Sequence, residues 1–212
     1  MTDTIQDNRP DGVKACRLIL QMQMSVDGCV SADADVGWQV WNWNDPWTWD
    51  ARLQADFNAV LDGVGCILLS RPMVEEGYLG HWDRIARAHP GDPRYAFARK
   101  IGTVDKVVLS HQLRMAPDKR TVLARGSLVE AVQALKRRGG GDVIAFGGVG
   151  LASALVAAGV VDEYQFFVNP AAVGSGRSIF GLLPGGVRLR LQQSTAYDCG
   201  IVVNRYVTSR AG

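Results

Sequence analysis

The stretch DVIAFGGVGLASALVAAGVVDEYQFFV, residues 142–168, decides the fold. A short apolar run ends in Gly147-Gly148, and an Ala/Leu-rich helical pattern begins at once. That pattern stops at Gly159, and a second apolar run follows over residues 164–168. This spells strand, tight turn, helix, strand. The turn from a strand into a helix gathers unpaired backbone N–H groups at the positive end of the helix dipole, and two glycines there let an anionic group approach the backbone. The pair admits two readings of equal weight: a phosphate cradle, or simply a close βα turn.

The same alternation extends in both directions. Residues 17–24 (RLILQMQM) read as a first strand, ending at the turn signal Ser25-Val26-Asp27-Gly28. Asp50 is placed to N-cap a helix that reaches about Leu61, with Leu53, Phe57, Val60 and Leu61 on one face. Residues 66–69 (CILL) and 106–109 (KVVL) read as buried strands, and residues 121–124 as a short one. Between the first two, residues 74–101 are helical or irregular, broken around Pro90 and Pro93. Ser127 caps a helix with Leu128, Ala131, Val132 and Leu135 at core spacing and three cations at its end. Residues 187–196 and 201–207 alternate and join at residues 197–200, as an antiparallel hairpin does. The expected fold is α/β: a mostly parallel sheet with helices on both faces and a C-terminal hairpin.

Composition narrows the function. With 212 residues, one domain over residues 16–212 is expected after a loose tail, residues 1–15. The formal net charge of +2 gives no reason to propose nucleic acid or a membrane surface as partner. No apolar stretch is long enough to span a bilayer, and no signal-peptide core stands at the N-terminus. Cys16, Cys29, Cys66 and Cys199 form no CxxC pair and share no ligand spacing with the three histidines, so no metal site is expected. A reducing, cytoplasmic setting fits that pattern.

In an open α/β sheet, ligands gather at the carboxyl ends of the strands. Those ends carry Ser25 and Gly28, Ser70 and Arg71, Ser110 and His111, and Gly147 and Gly148. Together they suit a ligand with several phosphates: backbone donors for a pyrophosphate, Arg71 for a further phosphate. The plainer reading of Arg71 is a surface ion pair.

SVDG after the first strand, the Arg71-x-x-x-Glu75 segment, KVVLS, the glycine-pair block and NPAAVGSGRSIF (residues 169–180) resemble the dihydrofolate reductase-like family. Within it they resemble the branch related to the reductase domain of the bifunctional bacterial riboflavin-biosynthesis deaminase/reductase. The resemblance runs from about residue 17 to residue 207. It implies a dihydrofolate reductase-like fold, NADPH as cofactor and a homodimer. It implies that Gly147, Gly148, Val149, Gly150 and Leu151 hold the pyrophosphate and that Arg71 and Ser110 face the adenosine 2′-phosphate. Gln23, Ser25 and Val30 would lie near the nicotinamide. The chain departs from the family at three places: Ser70-Arg71-Pro72-Met73 replaces Gly-Arg-x-Thr, Val149 replaces a third glycine, and Cys29 stands where the riboflavin enzymes carry lysine. Asp50–Asp62 also holds Arg52 as its one cation, which leaves the riboflavin-pathway substrate unsupported.

Dihydrofolate reductases place a carboxylate on the helix after the first loop. Asp50 and Asp56 are the candidates, and Asp50 is favoured as proton donor because tryptophan-rich surface beside it would raise its pKa. Trp38, Trp41, Trp43, Trp47 and Trp49 serve either to stack on a planar substrate or to plug the sheet, with Trp47 and Trp49 nearest the helix and best placed for stacking. Arg188, Arg190 and Arg205 read as a solvated or interface face. The sequence thus points to an NADPH-dependent oxidoreductase acting on a small planar heterocycle or a carbonyl/imine compound. The alternatives are a nucleotide-binding homodimer without turnover and a true dihydrofolate reductase.

Overall fold

The computed structural model describes residues 16–33 and 49–209. The expected tail, residues 1–15, and Trp38, Trp41, Trp43 and Trp47 lie outside the described residues.

The first strand is β1 (Leu18–Ser25). A two-residue strand, β2 (Ser31–Ala32), follows it. Helix α1 (Ala51–Val60) leads through a 3-10 turn to β3 (Val64–Ser70). The segment read as helical or irregular is three helices: α2 (Arg71–Glu75), α3 (Tyr78–Ala88) and α4 (Ala96–Thr103). Then come β4 (Asp105–Leu109), β5 (Thr121–Ala124), α5 (Leu128–Arg138), β6 (Asp142–Ala145), α6 (Val149–Ala157) and β7 (Glu163–Asn169). A second two-residue strand, β8 (Gly176–Arg177), precedes the hairpin of β9 (Leu189–Ala196) and β10 (Val202–Thr208).

The main sheet has eight strands in the order β5-β4-β3-β6-β1-β7-β10-β9. Pairing is parallel from β5 to β7 and antiparallel where β10 meets β7 and β9. The central strands read as unbroken apolar runs because both faces are covered. One face packs Ile19, Ile67, Leu69 and Ile144 against Phe57 of α1, Trp82 of α3 and Phe97 of α4. The other packs Leu18, Leu20, Leu68 and Ala145 against Val132 of α5 and Leu155 of α6. A leucine that goes from water to full burial contributes about 1.5–3 kcal/mol; Leu20, Leu68 and Leu155 are wholly buried.

Strand β6 enters between β3 and β1, although it follows both in the chain. The chain then crosses β1 through α6 to reach β7. The chain thus leaves β6 on the α6 face, whereas its neighbours β3 and β1 lead to α2 and α1 on the opposite face, and a crevice opens between them at the strand ends.

At the amino ends of the strands the structure corrects one expectation. Arg205 is not on a merely solvated face: its Nε donates to Glu163 Oε1 at 2.9 Å. Arg17 Nη1 reaches the other oxygen of the same carboxylate at 2.6 Å, and its Nη2 reaches Asp142 at 2.5 Å. Gln165 Nε2 also donates to Glu163, at 2.8 Å, and Gln21 donates to Gln165. Glu163 is buried, and its charge is tolerated because it is shared between two guanidiniums. Glu163→Gln keeps the shape and removes the charge. Urea denaturation should then report a loss of about 2 kcal/mol, less than for a wholly buried pair because both guanidiniums are partly solvated. A loss below about 0.5 kcal/mol would mean the network contributes nothing to stability.

Candidate functional site

The carboxyl ends of β3, β6 and β1 meet at one crevice. Gly147 and Gly148 turn the chain there with φ of 111° and 67°, values open to glycine. Space is short as well. A Cβ on Gly147 would lie 2.9 Å from Met22 Sδ, and one on Gly148 would lie 2.6 Å from Ser70 Oγ. The glycines are therefore needed by the fold itself, whatever binds beside them. What they leave open is the start of α6. Among the described residues, the N–H groups of Val149, Gly150 and Leu151 meet no acceptor, and the first bond back to the turn comes from Ala152 to Gly148. A Cβ on Gly150 would meet nothing within 4 Å. Open donors on a nine-residue helix, at the end of the sheet's central crevice, fit an anionic group.

The other expected cofactor residues ring this point with part of their bonding already used. Ser25 Oγ is buried and closes a turn on Cys29, donating to its carbonyl and accepting from its N–H. Ser110 Oγ accepts from the N–H groups of Gln112 and Leu113. Arg71, half-buried, pairs with Glu75 at 2.7 Å. Met73, which stands where the family carries a hydroxyl, packs its side chain against the apolar core. Gln23 is half-buried on β1, opposite Phe167. Val30 departs from expectation, since the residue lies wholly within the core and its N–H bonds the Arg177 carbonyl.

Near α1 the expected N-cap is in place, whereas the proton-donor reading of Asp50 and the stacking reading of Trp49 need correction. Asp50 is the N-cap of α1: its Oδ1 accepts from Leu53 N at 2.8 Å, and its Oδ2 accepts from Cys199 N at 3.0 Å. The Leu53 N–H first, then that of Cys199, holds its carboxyl below the usual carboxylate range, opposite to what a proton donor at neutral pH needs. Trp49 is a core residue. Its ring stacks on Phe167 at 5.4 Å and meets Phe57 edge-on at 5.1 Å, which removes the face expected for substrate.

A carboxylate that opens on a cavity is Asp56. A cavity of about 460 Å³ lies between α1 and the hairpin, walled by Leu53, Asp56, Phe167, Thr195, Tyr197 and Arg205 among others. Tyr197 Oη donates to Asp56 Oδ2 at 2.8 Å, and the Arg52 guanidinium lies 5.2 Å from the Tyr197 ring centroid. Burial, and then the bond to Asp56, pushes the Tyr197 phenol up to about 12. Asp56 sits three residues after Leu53 and four before Val60, on the flank of the apolar face, and that spacing was the available signal.

With this geometry in view, comparison with known proteins is informative. The family model described as the RibD C-terminal domain matches residues 17–203. YyaP of Bacillus subtilis (strain 168) is 22% identical over 194 residues, covering 91% of this chain and 95% of that protein. The crystal structure of a putative riboflavin biosynthesis protein from Shewanella sp. PV-4 superposes with a TM-score of 0.66 at 18% identity, over 92% of this chain and 99% of the other. A diaminohydroxyphosphoribosylaminopyrimidine deaminase/5-amino-6-(5-phosphoribosylamino)uracil reductase from Thermotoga maritima superposes with a TM-score of 0.62 at 13% identity. That match covers 92% of this chain and 57% of the other. The dihydrofolate reductase-like sheet with its C-terminal hairpin is the fold these structures share.

The Asp50 bonds carry a pH signature. Because the folded carboxyl titrates below its ordinary value of 3.8, its contribution is complete above that value and fades as pH falls through the lower folded one. Asp50→Ala should therefore melt below the wild type at neutral pH, and the gap should close in acid. Thermal melts from pH 7 to pH 2 measure this, and a gap that persists in acid would refute it.

Proposed function

Because the chain belongs to the RibD C-terminal domain family, we propose that it is an NADPH-dependent reductase of a small planar heterocycle or a carbonyl/imine compound. The observation that carries this reading is the open first turn of α6 behind Gly147-Gly148. The cofactor, when bound, supplies a hydride to an electrophilic C=N or C=O carbon. The N–H groups of Val149, Gly150 and Leu151 would hold its pyrophosphate. Arg71, exchanging Glu75 for phosphate, would read the 2′-phosphate by a charge-assisted bond, with Ser110 beside it. Gln23 and Ser25 would border the nicotinamide, with Val30 packed in the core behind them, and keep water from it.

Asp50, ionised and holding two N–H groups, anchors α1 in this scheme. The proton must then come from another group or from water. The scattered free thiols support a cytoplasmic setting. Among the described residues, no helix is long and apolar enough to cross a membrane.

Tryptophan quenching during titration with NADPH and then NADH tests the reading. NADPH should bind tightly and NADH much less so. Arg71→Ala should weaken NADPH by about 10- to 30-fold, the size of one charged hydrogen bond, and leave NADH unchanged. No binding of either nucleotide at high micromolar concentration would refute the proposal. Binding without oxidation by pterins, flavins, dihydrofolate or quinoid compounds would favour the nucleotide-binding alternative, to which the core-directed Met73 already lends support.

The homodimer belongs to the same proposal. Strand β9 is a sheet edge, with Leu191 51% exposed opposite Tyr206, and Leu182 and Val187 exposed in the segment before it. Apolar side chains grouped at a sheet edge mark an association surface. Light scattering should give about twice the chain mass of 23.0 kDa. Leu182→Asp with Leu191→Asp should halve it. A wild type that runs as a monomer would refute the dimer.

A further inference from the structure

The SVDG motif reads as a turn from sequence, and the structure gives its aspartate more to do. The Ser25–Cys29 turn closes on itself through the Ser25 hydroxyl and the Gly28 N–H to Ser25 bond. Asp27 lies within that turn, its carboxyl held below the usual carboxylate range first by the Ser25 hydroxyl and then by the Gly174 N–H, and its exposed side chain spans to the segment after β7. Its Oδ2 accepts from Gly174 N at 2.7 Å and from Val173 N at 3.2 Å. Two successive N–H groups, with Gly174 at φ 75°, form a concave anion seat, and Asp27 fills it from another part of the chain.

Around this contact the two segments are joined along their length. Val26 N bonds Ala171 O, Val30 N bonds Arg177 O and Asp33 N bonds Ser175 O. Ser31 and Ala32 pair with Arg177 and Gly176, and Ser175 Oγ bonds Asp33 at 2.7 Å. The approach is so close at Gly176 that a Cβ there would stand 1.9 Å from the Ser31 carbonyl oxygen. Within this seam Asp27, Asp33 and Arg177 carry charge; Asp33 and Arg177 bond serine hydroxyls, whereas Asp27 is the one whose carboxylate takes two backbone N–H groups from the other segment. The seam sits at the carboxyl end of β1, beside the crevice of Gly147 and Gly148. The tryptophan-rich stretch begins at Gly37, four residues past the end of the seam.

We propose that Asp27 is a positioning residue: its carboxylate pins the loop after β1 onto residues 171–177 and so fixes the β1 wall of the cofactor crevice. The clause about the crevice rests on the reductase reading, whereas the pinning of the loop does not.

Hydrogen exchange followed by mass spectrometry, together with NADPH titration, tests this on Asp27→Ala and Asp27→Asn. In Asp27→Ala the amides of residues 26–33 and 171–177 should both exchange about tenfold faster than in the wild type. NADPH should bind about tenfold more weakly. Asp27→Asn, which keeps one acceptor oxygen, should lie within about threefold of the wild type on both readouts. Faster exchange at residues 173–174 alone, with residues 26–33 unchanged, would reduce Asp27 to a local cap and overturn the proposal. Faster exchange in both segments with unaltered NADPH affinity would overturn its link to the crevice. If Asp27→Ala does not fold, Asp27→Asn decides by the same measurements, and full rescue of neither readout counts against the pinning. If the wild type takes no NADPH, the reductase reading fails while exchange still judges the loop.

Discussion

The constraint on which the crevice depends is the passage of β6 into α6 between the side chains of Met22 and Ser70. Those side chains belong to the two strands that flank β6, so the turn crosses the exact ends of its own neighbours' packing. A side chain at residue 147 or 148 would have to displace that of Met22 or Ser70 and would hold a positive φ that favours glycine. Glycine at both positions lets the helix start low against the strand ends. Its first N–H groups are then left without a backbone acceptor at the strand ends. The fold's need for a narrow turn and the site's need for open donors are met by the same two residues. This is why the pair could not be divided between a structural and a functional reading from sequence alone.

The two ends of the sheet treat polar groups in opposite ways. At the amino ends, Arg17, Asp142, Glu163, Gln165 and Arg205 bond one another, and the buried carboxylate is fully engaged. At the carboxyl ends the serine hydroxyls bond their own turns and Arg71 pairs with Glu75, which leaves the first backbone N–H groups of α6 as the open donors. A charge satisfied within the protein gives rigidity, and a donor left open gives affinity. The molecule keeps these apart by roughly the length of a strand.

Much of the architecture was legible because it follows from periodicity. The apolar runs of β3, β4 and β7, the caps at Asp50 and Ser127 and the turn at residues 197–200 all occur where the spacing puts them. The site was less legible, because its details depend on contacts distant in the chain. Asp50 looked like an acid from its aromatic neighbours, yet the Leu53 N–H, and then the Cys199 N–H 149 residues away, hold its carboxyl below the usual range. Arg205 looked solvated because the alternation of β10 does not reveal Glu163 on the adjoining strand. Trp49 looked available until the ring of Phe167 was in place beneath it. The short pairing of β2 with β8 has no periodicity to read at two residues each.

The hairpin is more than a decoration on the sheet edge, because it is tied to α1 at two points. The Cys199 N–H binds the carboxylate that caps the helix, and the Tyr197 hydroxyl binds Asp56 a turn and a half further on. Helix α1 in turn carries Phe57, which meets Trp49, Phe97 and Phe167 in the core beside the crevice. A displacement of the hairpin must therefore either break these bonds or move α1 with it. Bonds at two separated points resist rotation as well as translation, which a single bond would not do. Whatever associates with the exposed edge of β9 is thus mechanically joined to the helix that walls the cavity.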